Sequence, residues 1–163
     1  MLPAGTGPVK VLLVDDEKGI LQSLSRLLCN ERYEVLTATS GEEGLDILKK
    51  TEDVGVIVSD QIMPEMKGIE FLRKAWELAP DAVRIMLTGH GGLNVEHEAL
   101  YKGGAYRYIA KPWKNDELIQ TLRDAVTIYS LIRENRRLTS LLHSMSRENA
   151  ERLGDTAISN PVV

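Results

Sequence analysis

The chain is poor in thiols, aromatics and long apolar runs. With Cys29 as its one cysteine among 163 residues, it can form no internal disulfide and no cysteine zinc cluster, which fits a reducing compartment. No apolar stretch approaches the roughly 18 residues that span a bilayer. The start, Met1-Leu2-Pro3-Ala4-Gly5-Thr6-Gly7-Pro8, lacks the charged-then-apolar order of a signal peptide, so the sequence reads as cytoplasmic with no membrane partner. Net charge is −4, and nothing global draws the chain to nucleic acid. What is present suits a folded protein: 43% hydrophobic and 27% charged residues, in a length that fits one domain plus an appendage.

Val9-Lys10-Val11-Leu12-Leu13-Val14 is a short apolar, β-branched run that stops at Asp15-Asp16-Glu17, the mark of a buried strand ending in acids. Ile20, Leu21, Leu24, Leu27 and Leu28 then recur at helical spacing, and this strand-then-helix alternation repeats. Strands are expected near 9–14, 33–38, 54–59, 83–87 and 105–110. Helices are expected near 18–30, 41–50, 67–78 and 93–102, with another from Asn115. Strands joined by helical crossovers make a parallel sheet covered on both faces, so the fold class is α/β with a doubly wound five-stranded parallel sheet. The expected organisation is a tail over 1–8, a domain over 9–127, an extended C-terminal helix over 128–153 and a linker or loose end over 154–163.

Such sheets bind ligands at the carboxyl ends of their strands. Those ends carry Asp15-Asp16, Asp60, Thr88 and Lys111, so three acids, a hydroxyl and an amine should meet at one rim. Carboxylates about 4 Å apart repel by roughly 4 kcal/mol per pair at an effective dielectric near 20, which calls for a cation. All-oxygen ligands favour Mg²⁺ or Mn²⁺. A lone acid at a strand end is more often a helix cap or a solvated turn, but here several strand ends agree. Gly-rich dinucleotide and P-loop turns are absent after the first strand, where acids would reject a bare phosphate. Thr88-Gly89-His90-Gly91-Gly92 is glycine-rich and reads equally as a mobile loop or as a phosphate-facing segment.

At this point the residues resemble a family. Val14-Asp15-Asp16-Glu17, Asp60-Gln61-Ile62-Met63-Pro64 with Gly68, Leu87-Thr88-Gly89 and Tyr108-Ile109-Ala110-Lys111-Pro112-Trp113 resemble, in order and spacing, the receiver domain of bacterial two-component response regulators, over about 9–127. The resemblance implies the flavodoxin-like receiver fold. It also implies that Asp60 accepts a phosphoryl group from a sensor histidine kinase, and that Mg²⁺ is held by Asp16, Asp60 and the Ile62 carbonyl, with Asp15 acting through water. Lys111 and Thr88 would contact phosphoryl oxygens, Thr88 and Tyr108 would form the switch pair, and Ile62, Gly89 and His90 would govern access to the phosphate. The chemistry agrees, since a carboxylate can attack phosphorus to give an acyl phosphate and the transfer needs mainly alignment and charge neutralisation. For Lys111 a structural ion pair to an acid is the lesser alternative, whereas Tyr108 read alone is more often just a strand aromatic.

Tyr101, Tyr106, Tyr108 and Trp113, half of the eight aromatics, belong to the surface of the 93–102 helix, the 105–110 strand and the helix from Asn115, where a partner interface is expected. His90, His97 and His143 have no mutual metal-ligand spacing. From Asn115 to about Leu153 no Pro or Gly intervenes, and Ile128, Leu131, Asn135, Leu138, Leu142, Met145 and Asn149 alternate steps of three and four. That spacing reads as a parallel coiled coil and a homodimer, or else as a single solvated helix. Arg133, Arg136, Arg137, Arg147 and Arg152 stand against Glu134, Glu148 and Glu151, too mild a balance for a DNA-binding region.

The stretches around Val83 to Gly89, Tyr106 to Trp113 and Glu134 to Leu138 look most like receivers joined to HD-GYP cyclic-di-GMP phosphodiesterases, with hydrogenase-type transcriptional regulators close behind. The chain itself carries no His-Asp dipeptide, no Gly-Tyr-Pro and no recognisable helix-turn-helix. The expectation is therefore a signalling switch and not an enzyme with its own effector chemistry. Two rivals remain: an aspartyl-phosphate phosphatase, which wants Asp-x-Asp after its first strand, and a dimerisation adaptor with a relic pocket.

Overall fold

A computed structural model describes residues 7–89, 102 and 104–158. The expected helix near 93–102 lies, apart from Lys102, outside the described residues, as do His90, His97 and Tyr101.

Five parallel strands, β1 (Val9–Val14), β2 (Tyr33–Ala38), β3 (Val54–Asp60), β4 (Val83–Thr88) and β5 (Arg107–Ala110), lie in the order β2-β1-β3-β4-β5. Between them run α1 (Lys18–Leu28), α2 (Gly41–Lys50) and α3 (Gly68–Leu78), and after them α4 (Asn115–Ile158). This is the doubly wound sheet expected from the alternation, with the ends of the strands and of α1 to α3 displaced by at most two residues; α4 runs five residues past the expected end at 153, so that 154–158, expected as linker, are helical. β1 has β2 on one side and β3 on the other, so consecutive crossovers leave it toward opposite faces of the sheet. That reversal opens a crevice at the carboxyl ends of β1 and β3.

Period-2 alternation sorts the strand residues into two cores. Val11, Leu13, Val56, Val58, Ile85, Leu87 and Ile109 face Leu21, Leu24 and Leu28 of α1 and Leu118, Leu122 and Ala125 of α4. Leu12, Val14, Ile57 and Met86 face Leu48 of α2 and Phe71, Leu72 and Ala75 of α3. β3 and β4 are buried along their whole lengths, as central parallel strands must be, and so read as continuous apolar runs. Arg84 in β4 is the exception. Its Nε donates to the Gly104 carbonyl (3.1 Å), its Nη1 to the Ala82 carbonyl (3.1 Å), and its guanidinium lies 4.6 Å from the centre of the Trp76 ring. Burial lowers its pKa. Gly104 takes φ +62°, and a side chain there would press on both Trp76 and Arg84.

By contacts the chain divides into two compact units, residues 1–130 and 131–163. In the first unit, α4 packs through Leu118, Leu122, Ala125 and Tyr129, and the Tyr129 hydroxyl donates to the Asp53 carbonyl (3.4 Å). The Tyr129 ring lies against Gly55, where a Cβ would come within 2.7 Å of it. In the second unit the described residues are helical to Ile158 and exposed through Asp155, apart from half-buried Glu134.

Candidate functional site

Each acid at the rim stands where an apolar run ends, because a charge inside a buried strand is costly unless a partner meets it. Asp15 and Asp16 follow β1, Asp60 closes β3, Thr88 closes β4 and Lys111 follows β5. The register carries the last three to one level: Asp60 pairs with Leu87, and Thr88 with Ala110. Backbone bonds tie the ends together, Asp15 N–H to the Ala38 carbonyl, Gln61 N–H to the Leu87 carbonyl and Lys111 N–H to the Thr88 carbonyl.

One carboxylate oxygen from each of Asp15, Asp16 and Asp60 lies within 4.8 Å of the others. Asp15 and Asp60 are buried, whereas Asp16 is exposed. Lys111 Nζ lies 2.9 Å from Asp15 Oδ2 and 3.0 Å from Asp60 Oδ1, so one ammonium bridges two acids. The second Asp15 oxygen accepts from Glu17 N–H (2.9 Å), which fixes the carboxylate plane at the start of α1. Burial raises the Asp60 pKa above the usual carboxylate value; the Lys111 hydrogen bond and charge offset part of this, and the Asp15 charge adds to it. For Lys111 burial pulls the other way, but the hydrogen bonds and charges of Asp15 and Asp60 outweigh it and hold the amine above its ordinary value.

Three carboxylates against one ammonium leave the cluster net negative with oxygen donors only. That donor set fits a hard divalent cation such as Mg²⁺ and offers no nitrogen or sulfur to a softer one.

Around this cluster, Thr88 is buried, Tyr108 is half-buried against the α2 and α3 core, and Ile62 is 73% exposed beside the Asp60 turn. Gly89 is exposed with open space around its Cα, and His90 lies outside the described residues. Two supports, Gln61 and Gly68, stand in the sequence motif with no role assigned to them there. Gln61 Oε1 accepts from Ile69 N–H (3.0 Å) while its carbonyl accepts from Gly68 N–H (3.0 Å), clamping the start of α3 to the turn after Asp60. Gly68 lets that clamp close, since a Cβ there would fall on the Asp60 carbonyl oxygen and within 2.9 Å of Gln61 Cα. The spacing from Asp60 to Gly68 was a signal for the glycine; nothing local marked Gln61.

The response regulator receiver domain model matches residues 11–123 of the chain. The hydrogenase transcriptional regulatory protein HoxA of Cupriavidus necator is 39% identical over 128 residues, which cover 78% of this chain and 26% of that protein. The chain thus spans about a quarter of the length of the curated relatives it matches first. Among solved structures, the signal receiver domain of an HD domain-containing protein from Pseudomonas fluorescens superposes with a TM-score of 0.76 at 33% identity, covering 82% of this chain and 97% of that one. The beryllofluoride-activated NtrC4 receiver domain dimer gives a TM-score of 0.68 at 37% identity, covering 74% and 98%.

Proposed function

Since this chain belongs to the response regulator receiver family of two-component systems, we propose that it is a phosphorylation-controlled switch in which Asp60 accepts the phosphoryl group of a sensor histidine kinase. The observation that carries the reading is the bridging of Asp15 and Asp60 by Lys111 beside Asp16, at the crevice where the crossovers reverse. An Asp60 carboxylate oxygen attacks phosphorus, the phosphorus–nitrogen bond of a phosphohistidine breaks, and an acyl phosphate remains on Asp60 while the imidazole leaves with the electron pair. Lys111 exchanges its bond to the Asp60 oxygen for one to a phosphoryl oxygen, as a point charge with donors in three directions permits. Asp15, Asp16 and Asp60, with the Ile62 carbonyl, are the residues that would hold Mg²⁺, which when bound supplies charge neutralisation and alignment. Thr88 contributes its hydroxyl to the phosphoryl group, and Tyr108 repacks behind it. Exposed Ile62, with Gly89 and His90, sets how water reaches the phosphate.

On this reading the protein is a signalling domain that works in the cytoplasm. Its state passes through the 93–102 segment, β5 and the start of α4 to an effector, for which an HD-GYP phosphodiesterase and a transcription-regulating module are the two candidates. The described helices include none long and apolar enough to cross a membrane.

The test is intact-mass measurement after acetyl phosphate and Mg²⁺. Wild type gains one phosphoryl group, Asp60→Asn gains none, and Asp16→Ala requires far more Mg²⁺ for the same labelling. Stoichiometric, Mg²⁺-dependent labelling of the Asn variant would overturn the assignment.

A further inference from the structure

The first unit carries a second polar concavity, which shares no residue with the acidic rim. A groove of about 460 Å³ lies between α1 and β2, the edge strand of the sheet. That volume is within the roughly 300–1,000 Å³ of small-molecule sites. On one side α1 supplies Lys18, Gln22, Ser25 and Arg26, at positions i, i+4, i+7 and i+8, so a single stripe of the helix lines it. Thr37 of β2 and Thr39 just after it stand opposite, and buried Leu21 is the apolar part of the lining.

The lining has one sign of charge. Lys18 and Arg26 bring two positive charges and no carboxylate lines the groove, in a chain whose net charge is −4. Neither cation is in an ion pair among the described residues. Asp15, Asp16 and Glu17 precede Lys18 along the chain, but none of them reaches the groove. Glu43 feels the Lys18 charge, yet its carboxylate is already engaged by Thr39, through N–H at 2.7 Å and the hydroxyl at 2.8 Å. The helix itself disfavours Lys18. It is the first residue of α1, where the aligned peptide dipoles oppose a cation, and Glu17 before it makes no side-chain cap. A concave surface of uniform positive charge concentrates anions from solution.

We propose that this groove binds a small phosphate-bearing anion, with the phosphate between Lys18 and Arg26. The Cα atoms of those residues are about 12 Å apart at 1.5 Å per residue along the helix. A lysine and an arginine reaching toward each other span that separation with one phosphate between their tips, and side chains on a helix lean toward its N-terminus, which brings Arg26 toward Lys18. Phosphate fits the donors better than carboxylate does. A guanidinium fork and an ammonium approach from α1 and a hydroxyl from β2, and a tetrahedral group presents oxygens to both walls where a planar one does not. The Gln22 amide and the Ser25 and Thr37 hydroxyls have no protein partner among the described residues, so they are available to the phosphate or to hydroxyl groups on an organic body. Leu21 gives such a body its apolar contact.

The test is an amide-resolved NMR titration of the full chain with AMP, inorganic phosphate and citrate, each with and without Mg²⁺ and beryllofluoride to fill the Asp60 site. The phosphate probes should shift the amides of Gln22, Ser25, Thr37 and Thr39 saturably, and more tightly than citrate. Tighter binding of AMP than of inorganic phosphate assigns the groove to a phosphate ester; equal binding assigns it to the free anion. Lys18→Gln combined with Arg26→Gln should weaken binding about tenfold or more, since each change removes a charge-assisted hydrogen bond. Lys49→Gln combined with Lys50→Gln takes the same charge from exposed positions at the end of α2 and should leave the affinity unchanged. No saturable shift at these amides, citrate matching both phosphate probes, or equal weakening in the two double variants overturns the proposal. So does loss of binding once beryllofluoride is present, which would put the phosphate at the acidic rim. Because no groove residue belongs to the Asp60 site, failure here leaves that reading untouched.

Discussion

Lys111 answers two acids with one charge, and its loss should be felt in stability as well as in chemistry. Asp15 and Asp60 are buried, with side chains only 1% and 9% exposed, so Lys111→Met leaves two like charges adjacent without a counterion. The cost should be about 1–3 kcal/mol at pH 7, the penalty for a buried charged group without its partner. Adding Mg²⁺ should stabilise the variant more than the wild type, because a divalent cation restores the missing neutralisation; urea melts with and without Mg²⁺ read this directly. The pH sign also follows. The folded Lys111 pKa is raised above 10.5, so its stabilising contribution is complete below 10.5 and is lost as pH rises through the folded value. Wild type should therefore lose stability in that alkaline window, and Lys111→Met should not show that loss. At Gly68 the argument is steric: Ala places a methyl group on the Asp60 carbonyl oxygen, and backbone cannot yield as a side-chain tip does. Gly68→Ala should cost about 1–3 kcal/mol or more and should slow acetyl phosphate labelling through the displaced turn.

At the scale of elements, α2 shows how local chemistry places a helix start. Ser40 Oγ accepts from Glu43 N–H at 3.1 Å, and the Glu43 carboxylate reaches back to Thr39 N–H at 2.7 Å and Thr39 Oγ1 at 2.8 Å. This is a capping box drawn one residue wider than usual. These bonds to Thr39 hold the Glu43 pKa below 4.5. A carboxylate with a depressed folded pKa stabilises above its unfolded pKa and loses that contribution as pH falls through the folded value. Ser40→Ala should cost about 1 kcal/mol with little pH dependence. Glu43→Gln should cost less, since the group is exposed, and its difference from wild type should narrow as denaturation is repeated at pH values falling below 4.5. At Gly41 and Gly44 an added Cβ would come within 2.7 Å of Met66 Sδ and 2.8 Å of Phe71 Cε2, so α2 packs closely on the turn before α3 and on α3 itself.

For the whole molecule, the division at residue 130 separates burial from exposure. Every buried apolar residue among those described lies at or before Tyr129, and the large apolar residues from Leu131 to Leu153 are exposed. A chain ending at Ser130 should therefore unfold with the same urea midpoint as the full chain at low protein concentration. The homodimer expected from the heptad spacing predicts that only the full chain gains melting temperature as concentration rises, through mass action. Equal concentration dependence for both lengths would locate association elsewhere.

Sequence determined by itself whatever follows from local periodicity. Apolar runs of strand length alternating with amphipathic helices specify a parallel sheet covered on both faces, and acids at the ends of those runs mark the rim, because a charge within a buried run is costly unless it finds a partner. The asparagine positions in α4 are legible for the same reason, since a seven-residue repeat is a property of one helix. Tertiary structure decided the partners. That Lys111 reaches Asp15, 96 residues earlier, as well as Asp60 depends on β1, β3 and β5 ending at a common level. An arginine stands in the middle of buried β4, and only the fold supplies the Gly104 carbonyl and the Trp76 face that satisfy it. Gln61 shows the same limit, with a side chain whose use is set by where α3 begins in space. Periodicity is a sum over neighbours along the chain, whereas a buried charge or amide is satisfied by whichever distant group the sheet order brings to it.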